Sequence, residues 1–295
     1  MSEPRLFEPV ASRYLVPFDG SFSLADCVTD PADNPGKQAN AKELEQCVEK
    51  LSKLQGKLYP DQRYAVLLVF QAMDAAGKDG TIRAVLTGVN PQGCRVESFK
   101  APTVHELDHD FMWRITNRLP PRGHIGVFNR SHYEEVLTVR VNPGFLDSQR
   151  LPRRPESLEQ LWTERFDAIN AFERHWASSG TVVLKFFLNV SQREQHKRFL
   201  DRINDDDAQW KFNATDLVES SKWSHYMAAY EAALRATSKP WAPWYAIPAD
   251  SKSFMRLAVA DIVVNTLSQL PLQHPKLSDR DRAALANARK QLEAE

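Results

Sequence analysis

The chain has few cysteines, no net charge and no hydrophobic run long enough to cross a membrane. Only three of its 295 residues are cysteines, Cys27, Cys47 and Cys94, and none of their spacings resembles a zinc-binding pattern. This usage excludes a disulfide framework and favours reduced thiols. No run approaches the roughly 18 apolar residues of a membrane span, and residues 1–20 lack the continuous apolar segment of a signal peptide. We therefore expect a cytoplasmic protein that does not enter a membrane.

The balance of 38 basic against 38 acidic residues argues against a general nucleic-acid-binding protein, so no nucleic-acid partner is expected. The charge is nevertheless unevenly distributed. Residues 112–154, called the arginine-rich segment below, contain eight arginines, no lysine and three carboxylates. This bias favours a polyanionic ligand, with pairing to carboxylates elsewhere in the chain as the alternative. The arginines are Arg114, Arg118, Arg122, Arg130, Arg140, Arg150, Arg153 and Arg154.

Short apolar runs alternate with helical patterns along the chain, which is typical of a doubly wound α/β protein with a parallel five-stranded sheet. The same pattern predicts an irregular arm and a helix over residues 1–60 and the core domain over residues 61–275. It predicts a charged peripheral helix over residues 276–295. The predicted strands are residues 64–70, 94–99, 124–128, 181–188 and 244–247. The predicted helices are residues 39–58, 81–87, 104–118, 158–178 and 253–270.

A loop of small residues follows the first predicted strand, where residues 71–81 read QAMDAAGKDGT. Backbone N–H groups at a helix N-terminus, together with a lysine, form a phosphate-binding site. The match to the P-loop pattern is incomplete, because Ala72 replaces the first glycine and Asp79 stands where Ser or Thr usually contacts Mg²⁺. The metal therefore needs a carboxylate, for which we choose Asp74, with Asp79 in reserve. The predicted phosphate-binding residues of the loop are Ala75, Ala76, Gly77, Lys78, Asp79, Gly80 and Thr81.

A second polar group lies at the end of the third predicted strand, where residues 128–135 read FNRSHYEE. In P-loop folds this strand end faces the phosphates, commonly with an aspartate that supports Mg²⁺. Asn129 carries no charge, so we predict Glu134 as the second carboxylate of the metal site. Arg130 is predicted to bind phosphate oxygens, with a structural salt bridge as the alternative. We interpret His132 as structural, because an anionic phosphate acceptor needs no strong base.

The helix predicted to follow the fourth strand carries two pairs of basic residues. Arg193 and Lys197 lie on one side of it, and Arg198 and Arg202 lie roughly 140° away. Because Lys197 has an acidic partner four residues on, we predict that Arg198 and Arg202 reach the phosphates. The acidic residues 204–219 that follow are predicted to form a mobile lid.

Four segments together resemble the polyphosphate kinases of the second family: QAMDAAGKDGTI, GVFNRSHYEEVLTVRV, FLNVSQREQHKRFLDR and PWYAIPADSK. The resemblance covers residues 14–270 in order. It implies a thymidylate-kinase-like P-loop kinase fold, a helical lid at about residues 190–222, and a homo-oligomer, either a dimer or a tetramer. The sequence NRSHYE resembles the class that accepts both AMP and ADP, whereas Ser251 departs from an aspartate common in the family. The functional residues implied are Asp74, Lys78, Asn129, Arg130 and Arg198.

The residues and the resemblance together predict a kinase that transfers phosphoryl groups from inorganic polyphosphate to AMP and ADP, giving ADP and ATP. The predicted cofactor is Mg²⁺, for which Mn²⁺ could substitute. Arg118 and Arg122 of the arginine-rich segment join Arg130 as predicted polyphosphate contacts. One alternative is an ATP-dependent nucleotide or small-molecule kinase of the same fold. The other is a non-catalytic polyphosphate-binding protein, suggested by Ala72 and Asn129. The predicted catalytic residues are Asp74, Lys78, Asn129, Arg130 and Glu134, of which Asp74 and Glu134 are the metal ligands.

Overall fold

The core of the molecule is one sheet of parallel strands. The structure, a computed structural model, describes residues 5–153, 155–207, 209–211 and 213–294. In these residues the strands are β1 (Ala65–Gln71), β2 (Cys94–Ser98), β3 (Ile125–Asn129), β4 (Thr181–Asn189) and β5 (Trp244–Pro248). They are ordered β2–β3–β1–β4–β5, and every neighbouring pair is parallel. The predicted five-stranded parallel sheet is therefore confirmed.

Helices pack around this sheet and against one another. They are α1 (Lys37–Asp61), α2 (Lys78–Leu86), α3 (Val104–Leu107), α4 (Trp113–Thr116), α5 (Thr138–Val141), α6 (Leu158–Ser178), α7 (Gln192–Ile203), α8 (Ala214–Ser221), α9 (Trp223–Thr237), α10 (Lys252–Ser268) and α11 (Asp279–Leu292). Short 3₁₀ turns occupy Leu24–Asp26, Pro91–Gly93, His132–Glu135, Pro143–Gln149 and Gln209–Lys211. Helix α10 packs against α1, α2 and β5, and α6 packs on β4.

The single helix predicted over residues 104–118 is wrong, because the segment forms the two short helices α3 and α4. Helix α3 ends at its C-cap, Asp108. Two residues later, the carboxylate of Asp110 accepts a hydrogen bond of 2.8 Å from the backbone N–H of Met112. Aspartate side chains compete in this way with the helical backbone pattern, which interrupts a helix that apolar spacing alone would continue.

The connections of the sheet place two loops side by side. Strand β1 is buried throughout, as expected of a continuous apolar run in a parallel sheet. Its register with β3 pairs Phe70 with Asn129, so the loops after the two strands begin at the same level. The chain leaves β1 toward β2 and leaves β3 toward β4, on opposite sides. Ligands of doubly wound sheets bind at this kind of carboxyl-end crevice.

The N-terminal arm covers the free edge of β5. The N–H of Val16 donates to the carbonyl of Trp244 (2.9 Å), and the N–H of Ala246 donates to the carbonyl of Tyr14 (2.8 Å). These hydrogen bonds pair backbone groups that an edge strand would otherwise expose. The arm thus blocks one edge of the sheet from pairing with another chain.

Three further features of the described residues concern the cysteines, the hydropathy of the helices and the C-terminal helix. All three cysteines are free. None of the helices in the described ranges is both long enough and apolar enough to cross a bilayer. Helix α11 occurs where a charged helix was predicted, and its residues are exposed along its whole length.

Candidate active site

The loop between β1 and α2 has the backbone shape of a phosphate-binding loop. Ala75 (φ 61°) and Gly77 (φ 107°) both adopt left-handed conformations, and α2 begins directly afterwards at Lys78. A Cβ atom on Gly77 would lie 3.0 Å from Cε of Met255, so glycine suits this position for space as well as conformation. Ala72 has no positive φ. The alanine that replaces the usual first glycine therefore causes no backbone strain.

The side chain of Lys78 lies over the loop. Its Nζ donates to the carbonyl oxygens of Ala72 (2.8 Å) and Met73 (3.2 Å), and only 9% of the residue is exposed. Burial lowers the pKa of Lys78, although the charge of Asp74 opposes this effect. The ammonium is thus held where it can meet phosphate oxygens with little competing water.

Arg130 connects the β3 end to the phosphate loop. Its backbone has a left-handed conformation (φ 63°), and its N–H donates to the carbonyl of Phe70 (3.0 Å). The guanidinium donates to Oδ1 of Asp74, and its Nη1 lies 3.8 Å from Oε2 of Glu134. The charge of Glu134 raises the pKa of Arg130, so the guanidinium stays charged. Arg130 therefore forms the salt bridge considered as an alternative, and it does so between the two predicted metal ligands.

Both predicted metal ligands are carboxylates directed at this guanidinium. Burial raises the pKa of Asp74, but the charges of Lys78 and Arg130 outweigh burial, so its pKa is lowered overall. In the described ranges no group of three or more His, Cys, Asp or Glu could hold a metal ion. Mg²⁺ commonly uses one or two protein carboxylates and takes its other ligands from water and substrate phosphates. Two convergent carboxylates beside a phosphate loop therefore fit Mg²⁺.

Two neighbouring side chains position Glu134. The hydroxyl of Thr138 donates to Oε2 (2.6 Å), and Gln71 donates to Oε1 (3.0 Å) in the amide orientation that satisfies both of its ends. Sequence analysis missed both residues. The sequence does contain a sign that Gln71 has a specific role, because it is a polar residue at the end of a fully buried apolar strand.

Asn129 and Asp79 form a direct hydrogen bond. Nδ2 of Asn129 donates to Oδ1 of Asp79 (2.6 Å), which lies in the first turn of α2. An aspartate at position 129 would place two carboxylates in contact, and like charges at that distance repel. The asparagine thus suits a loop that carries Asp79 in place of Ser or Thr, and it holds the reserve metal ligand against the β3 end.

The structure corrects the predicted role of Arg198. This buried side chain uses all five of its N–H donors within the protein. Nη1 donates to the carbonyls of Ala75 (3.3 Å) and Ala76 (2.7 Å), Nη2 donates to those of Ala249 (2.7 Å) and Asp250 (2.9 Å), and Nε donates to Glu194 (2.9 Å). No donor remains for a phosphate. Arg198 is therefore a positioning residue that joins the phosphate loop to the loop after β5.

Arg202 does lie beside the site. Its Nη1 is 3.5 Å from Oδ2 of Asp216 in α8, and its charge contributes to the lowered pKa of Asp74. Burial and then the nearby Asp74 raise the pKa of Asp216. Sequence analysis missed Asp216, because nothing distinguishes it from the other acidic residues of the segment predicted as a lid.

Most arginines of the arginine-rich segment pair with carboxylates of other elements, as the alternative interpretation held. Arg122 is a clear correction, because it donates to the carbonyl of Ser179 (3.1 Å), which precedes β4 at the opposite end of the sheet. Arg118 lies 3.9 Å from Glu97, which pairs with Phe128 near the carboxyl end of the sheet, so its role as a polyphosphate contact stays a prediction. Arg154 lies outside the described residues. The other ion pairs are Arg114–Glu106, Arg140–Glu159, Arg150–Asp108 and Arg153–Glu164.

A fully buried polar network lies behind the β3 end. Nζ of Lys185 in β4 contacts Glu173 of α6 and also donates to the hydroxyl of Tyr133 (2.9 Å). Nε2 of His132 lies 3.2 Å from Glu173, and burial lowers the pKa of this histidine. His132 is enclosed in the core, with 1% of the residue exposed. The geometry agrees with its interpretation as a structural residue.

Comparison with known proteins identifies the family. A sequence model of the family described as Polyphosphate kinase 2 (PPK2) matches residues 35–275. The chain belongs to this family. An ADP-polyphosphate phosphotransferase of Rhodopseudomonas palustris is 51% identical over 245 residues, which cover 83% of this chain and 85% of the relative. An AMP/ADP-polyphosphate phosphotransferase of Meiothermus ruber is 44% identical over 268 residues, which cover 90% and 95%.

A solved structure supports the same assignment. Polyphosphate Kinase 2 from Arthrobacter aurescens matches with a TM-score of 0.80 and 37% sequence identity, over 90% of this chain and 93% of that chain. The resemblance drawn from four sequence segments is therefore confirmed, and with it the P-loop α/β kinase fold of the polyphosphate kinase 2 family.

Proposed function

We propose that this protein transfers phosphoryl groups from inorganic polyphosphate to AMP and ADP, giving ADP and ATP. The observation that carries the proposal is the meeting of Lys78 and Arg130 at one phosphate loop, in a chain of the polyphosphate kinase 2 family. The names of the relatives from R. palustris and M. ruber support the donor and the acceptors. The NRSHYE sequence supports AMP as an acceptor in addition to ADP.

The reaction that follows from this geometry depends mainly on positioning and charge. The backbone N–H groups of residues 75–81 and the N-terminus of α2 bind phosphate oxygens. Lys78 and Arg130 neutralise negative charge, which favours the loose transition state of phosphoryl transfer. Mg²⁺, for which Mn²⁺ could substitute, would be held by Asp74 and Glu134 and would lower the repulsion between donor and acceptor phosphates. Asn129 keeps Asp79 in place.

A donor screen tests the proposal. The purified protein is incubated with Mg²⁺, long-chain polyphosphate and each nucleoside mono- and diphosphate, and the products are separated by chromatography. A parallel set replaces polyphosphate with ATP. Formation of ADP from AMP and of ATP from ADP is expected with polyphosphate. Turnover with ATP alone would identify the ATP-dependent kinase, and polyphosphate binding without turnover would identify the non-catalytic alternative.

Replacing Glu134 with glutamine should slow phosphorylation of AMP more than phosphorylation of ADP. AMP is one phosphate shorter than ADP and must be drawn deeper into the site, so it depends more on the charge of Glu134. Loss of a metal-linked positioning contact costs about 10²-fold in rate. We therefore expect kcat/KM for AMP to fall about 10²-fold, with a smaller loss for ADP.

The exposed residue Glu159 provides the matched control for this variant, because its side chain is 76% exposed and lies on α6. Glu159→Gln should leave kcat/KM unchanged for both acceptors. If Glu134 only supports the fold, then the melting temperature of Glu134→Gln falls and both acceptors lose activity equally. An equal loss, or no loss, would rule out the proposed role in acceptor positioning.

The domain organisation yields a further prediction. We propose that residues 61–275 form the phosphotransferase unit, with residues 190–222 as its lid, and that the protein acts as a dimer or tetramer, as the family resemblance implies. Helix α11 is exposed along its length. Removal of residues 276–295 should therefore leave kcat within about twofold of that of the full chain, because changes at exposed positions usually have little effect on the stability of the rest of a protein. A large loss of activity, or a change of mass in light scattering, would show that this helix belongs to the unit.

A further inference from the structure

A cluster of polar side chains joins α5, α8 and α9 at one point. We call it the Glu219 cluster, and its members are Asn142, Glu219, Lys222 and Tyr226. In the last turn of α8, Oε2 of Glu219 accepts hydrogen bonds from Nδ2 of Asn142 (3.0 Å) and from the hydroxyl of Tyr226. Nζ of Lys222 donates to Oε1 of the same carboxylate (3.0 Å) and contacts the amide oxygen of Asn142. One carboxylate thus ties the C-cap of α5 to the end of α8 and to α9.

The cluster keeps one fixed state of charge at neutral pH. Burial raises the pKa of Glu219, but the hydrogen bonds that it accepts, first among them that from Tyr226, outweigh burial, so its pKa is lowered overall. Burial, and after it the hydrogen bond to Glu219, raises the pKa of Tyr226. The carboxylate is therefore ionised and the phenol protonated. Hydrogen bonds to an ionised acceptor are about twice as strong as those between neutral groups, which suits a cluster that holds three helices together.

Helix α5 connects the cluster to Glu134. Nδ2 of Asn142 donates to the carbonyl of Thr138 one turn earlier (3.1 Å), and the hydroxyl of Thr138 donates to Oε2 of Glu134 (2.6 Å). The same oxygen lies 3.8 Å from Nη1 of Arg130. Helix α5 has only four residues, and isolated helices shorter than roughly 12 residues are marginal in water. The place of Thr138 therefore depends on the neighbours that hold α5, and Glu219 binds its C-terminal end.

We propose that Glu219 is a positioning residue for the candidate metal ligand Glu134, and that it acts through Asn142 and Thr138. Glu219 holds the end of α5 against α8, and Thr138 then keeps the Glu134 carboxylate turned toward Arg130. Because α8 belongs to the segment proposed as a lid, the docked position of α8 sets the orientation of Glu134. The proposal rests on the proposed function, in which AMP depends on Glu134 more than ADP does. Glu219 thereby influences the choice of acceptor without touching the acceptor.

The test is a double-mutant cycle between Glu219→Ala and Glu134→Gln, with kcat/KM measured for AMP and for ADP. Loss of a hydrogen-bonding partner behind a metal ligand should lower kcat/KM of Glu219→Ala for AMP about 10-fold, with a smaller loss for ADP. In the double variant the loss for AMP should stay near the roughly 10²-fold loss of Glu134→Gln alone, because residues of one network do not act additively. Glu159→Ala, at an exposed position of α6, is the control and should leave both values unchanged.

A measurement without turnover accompanies the cycle. The backbone N–H of Asn142 donates to the carbonyl of Thr138 (2.9 Å), so its hydrogen exchange reports whether the end of α5 is held. This amide should exchange faster in Glu219→Ala than in wild type and in the Glu159→Ala control. Equilibrium binding of AMP with Mg²⁺, in the absence of polyphosphate, should weaken in Glu219→Ala and in Glu134→Gln.

The outcomes separate this proposal from the proposed function. Equal losses for AMP and ADP, losses that multiply to about 10³-fold in the double variant, or unchanged exchange of the Asn142 amide overturn the positioning role. Failure of wild type to phosphorylate AMP from polyphosphate overturns the proposed function, whereas hydrogen exchange and AMP binding still decide on Glu219.

A second variant serves if Glu219→Ala does not fold. Tyr226→Phe removes a single donor to Glu219 and should lower kcat/KM for AMP about fivefold, the effect of one typical hydrogen bond. It enters the same cycle with Glu134→Gln. Its control is Tyr59→Phe, since Tyr59 of α1 is 38% exposed. A loss with Tyr226→Phe that is equal for both acceptors also overturns the proposal.

Discussion

Replacing Lys78 with alanine should reduce kcat about 10³-fold with polyphosphate and ADP, the size of effect seen when a donor to the transition state is removed from a buried site. Lys78 is the lysine of the phosphate loop, and its ammonium is largely withdrawn from water. Its two hydrogen bonds to loop carbonyls contribute about 1 kcal/mol each, so the fold should persist. Steady-state kinetics and the melting temperature measure the two effects.

Lys78→Arg should also fail, because a planar guanidinium cannot occupy the space of a compact ammonium between two carbonyls. Lys197→Ala is the control, since that lysine is 67% exposed on α7. Substantial turnover by a folded Lys78→Ala protein would show that the phosphate loop plays no part in the mechanism.

Replacing Lys185 with methionine should lower the free energy of unfolding by about 3–5 kcal/mol, the usual cost of leaving a buried charge without its partner. Lys185 and Glu173 are both fully buried, and Nζ also donates to the hydroxyl of Tyr133 and the carbonyl of Thr237. Burial lowers the pKa of Lys185 to about 8, although the charge of Glu173 opposes this effect. Urea unfolding at neutral pH measures the loss.

The pH dependence of Lys185→Met provides a second readout. Without the lysine, burial raises the pKa of Glu173 in the folded state above its unfolded value, so the folded state binds the extra proton. The stability deficit should therefore shrink as the pH falls toward the unfolded pKa of a glutamate. Adding Glu173→Gln should recover part of the loss. A variant as stable as the exposed control Lys53→Met would contradict the role of the buried pair.

The parts of the site that depend on backbone and order along the chain could be predicted from the sequence. The apolar run of β1 followed by AGKDG specifies a strand, a loop and a helix, and parallel strands bring Arg130 to the same edge. The direction of long side chains could not be predicted in this way. Arg198 turns toward loop carbonyls, an outcome that depends on tertiary contacts that helical spacing and charge counts do not contain. Arg122 lies before β3, so the predicted strand order could already have placed it at the end of the sheet opposite the phosphate loop.

Pairings between distant residues were missed for the same reason. Asn129 was interpreted as a lost charge, whereas it hydrogen-bonds the carboxylate of Asp79, 50 residues earlier. Asp216 reaches Arg202 from a different helix. Each residue is unremarkable within its own segment, and only the juxtaposition of segments gives it a role.

The two helices of the proposed lid, α7 and α8, are both linked by hydrogen bonds to the phosphate loop. On the side of α7, Arg198 binds the carbonyls of Ala75 and Ala76. On the side of α8, the hydroxyl of Ser220 donates to Gln195 (2.7 Å), whose amide donates to the carbonyl of Asp74 (2.9 Å). Both helices of the proposed lid are therefore linked to the backbone of the phosphate loop, α7 directly and α8 through Gln195. A displacement of the loop carbonyls would change the hydrogen bonds of both helices together.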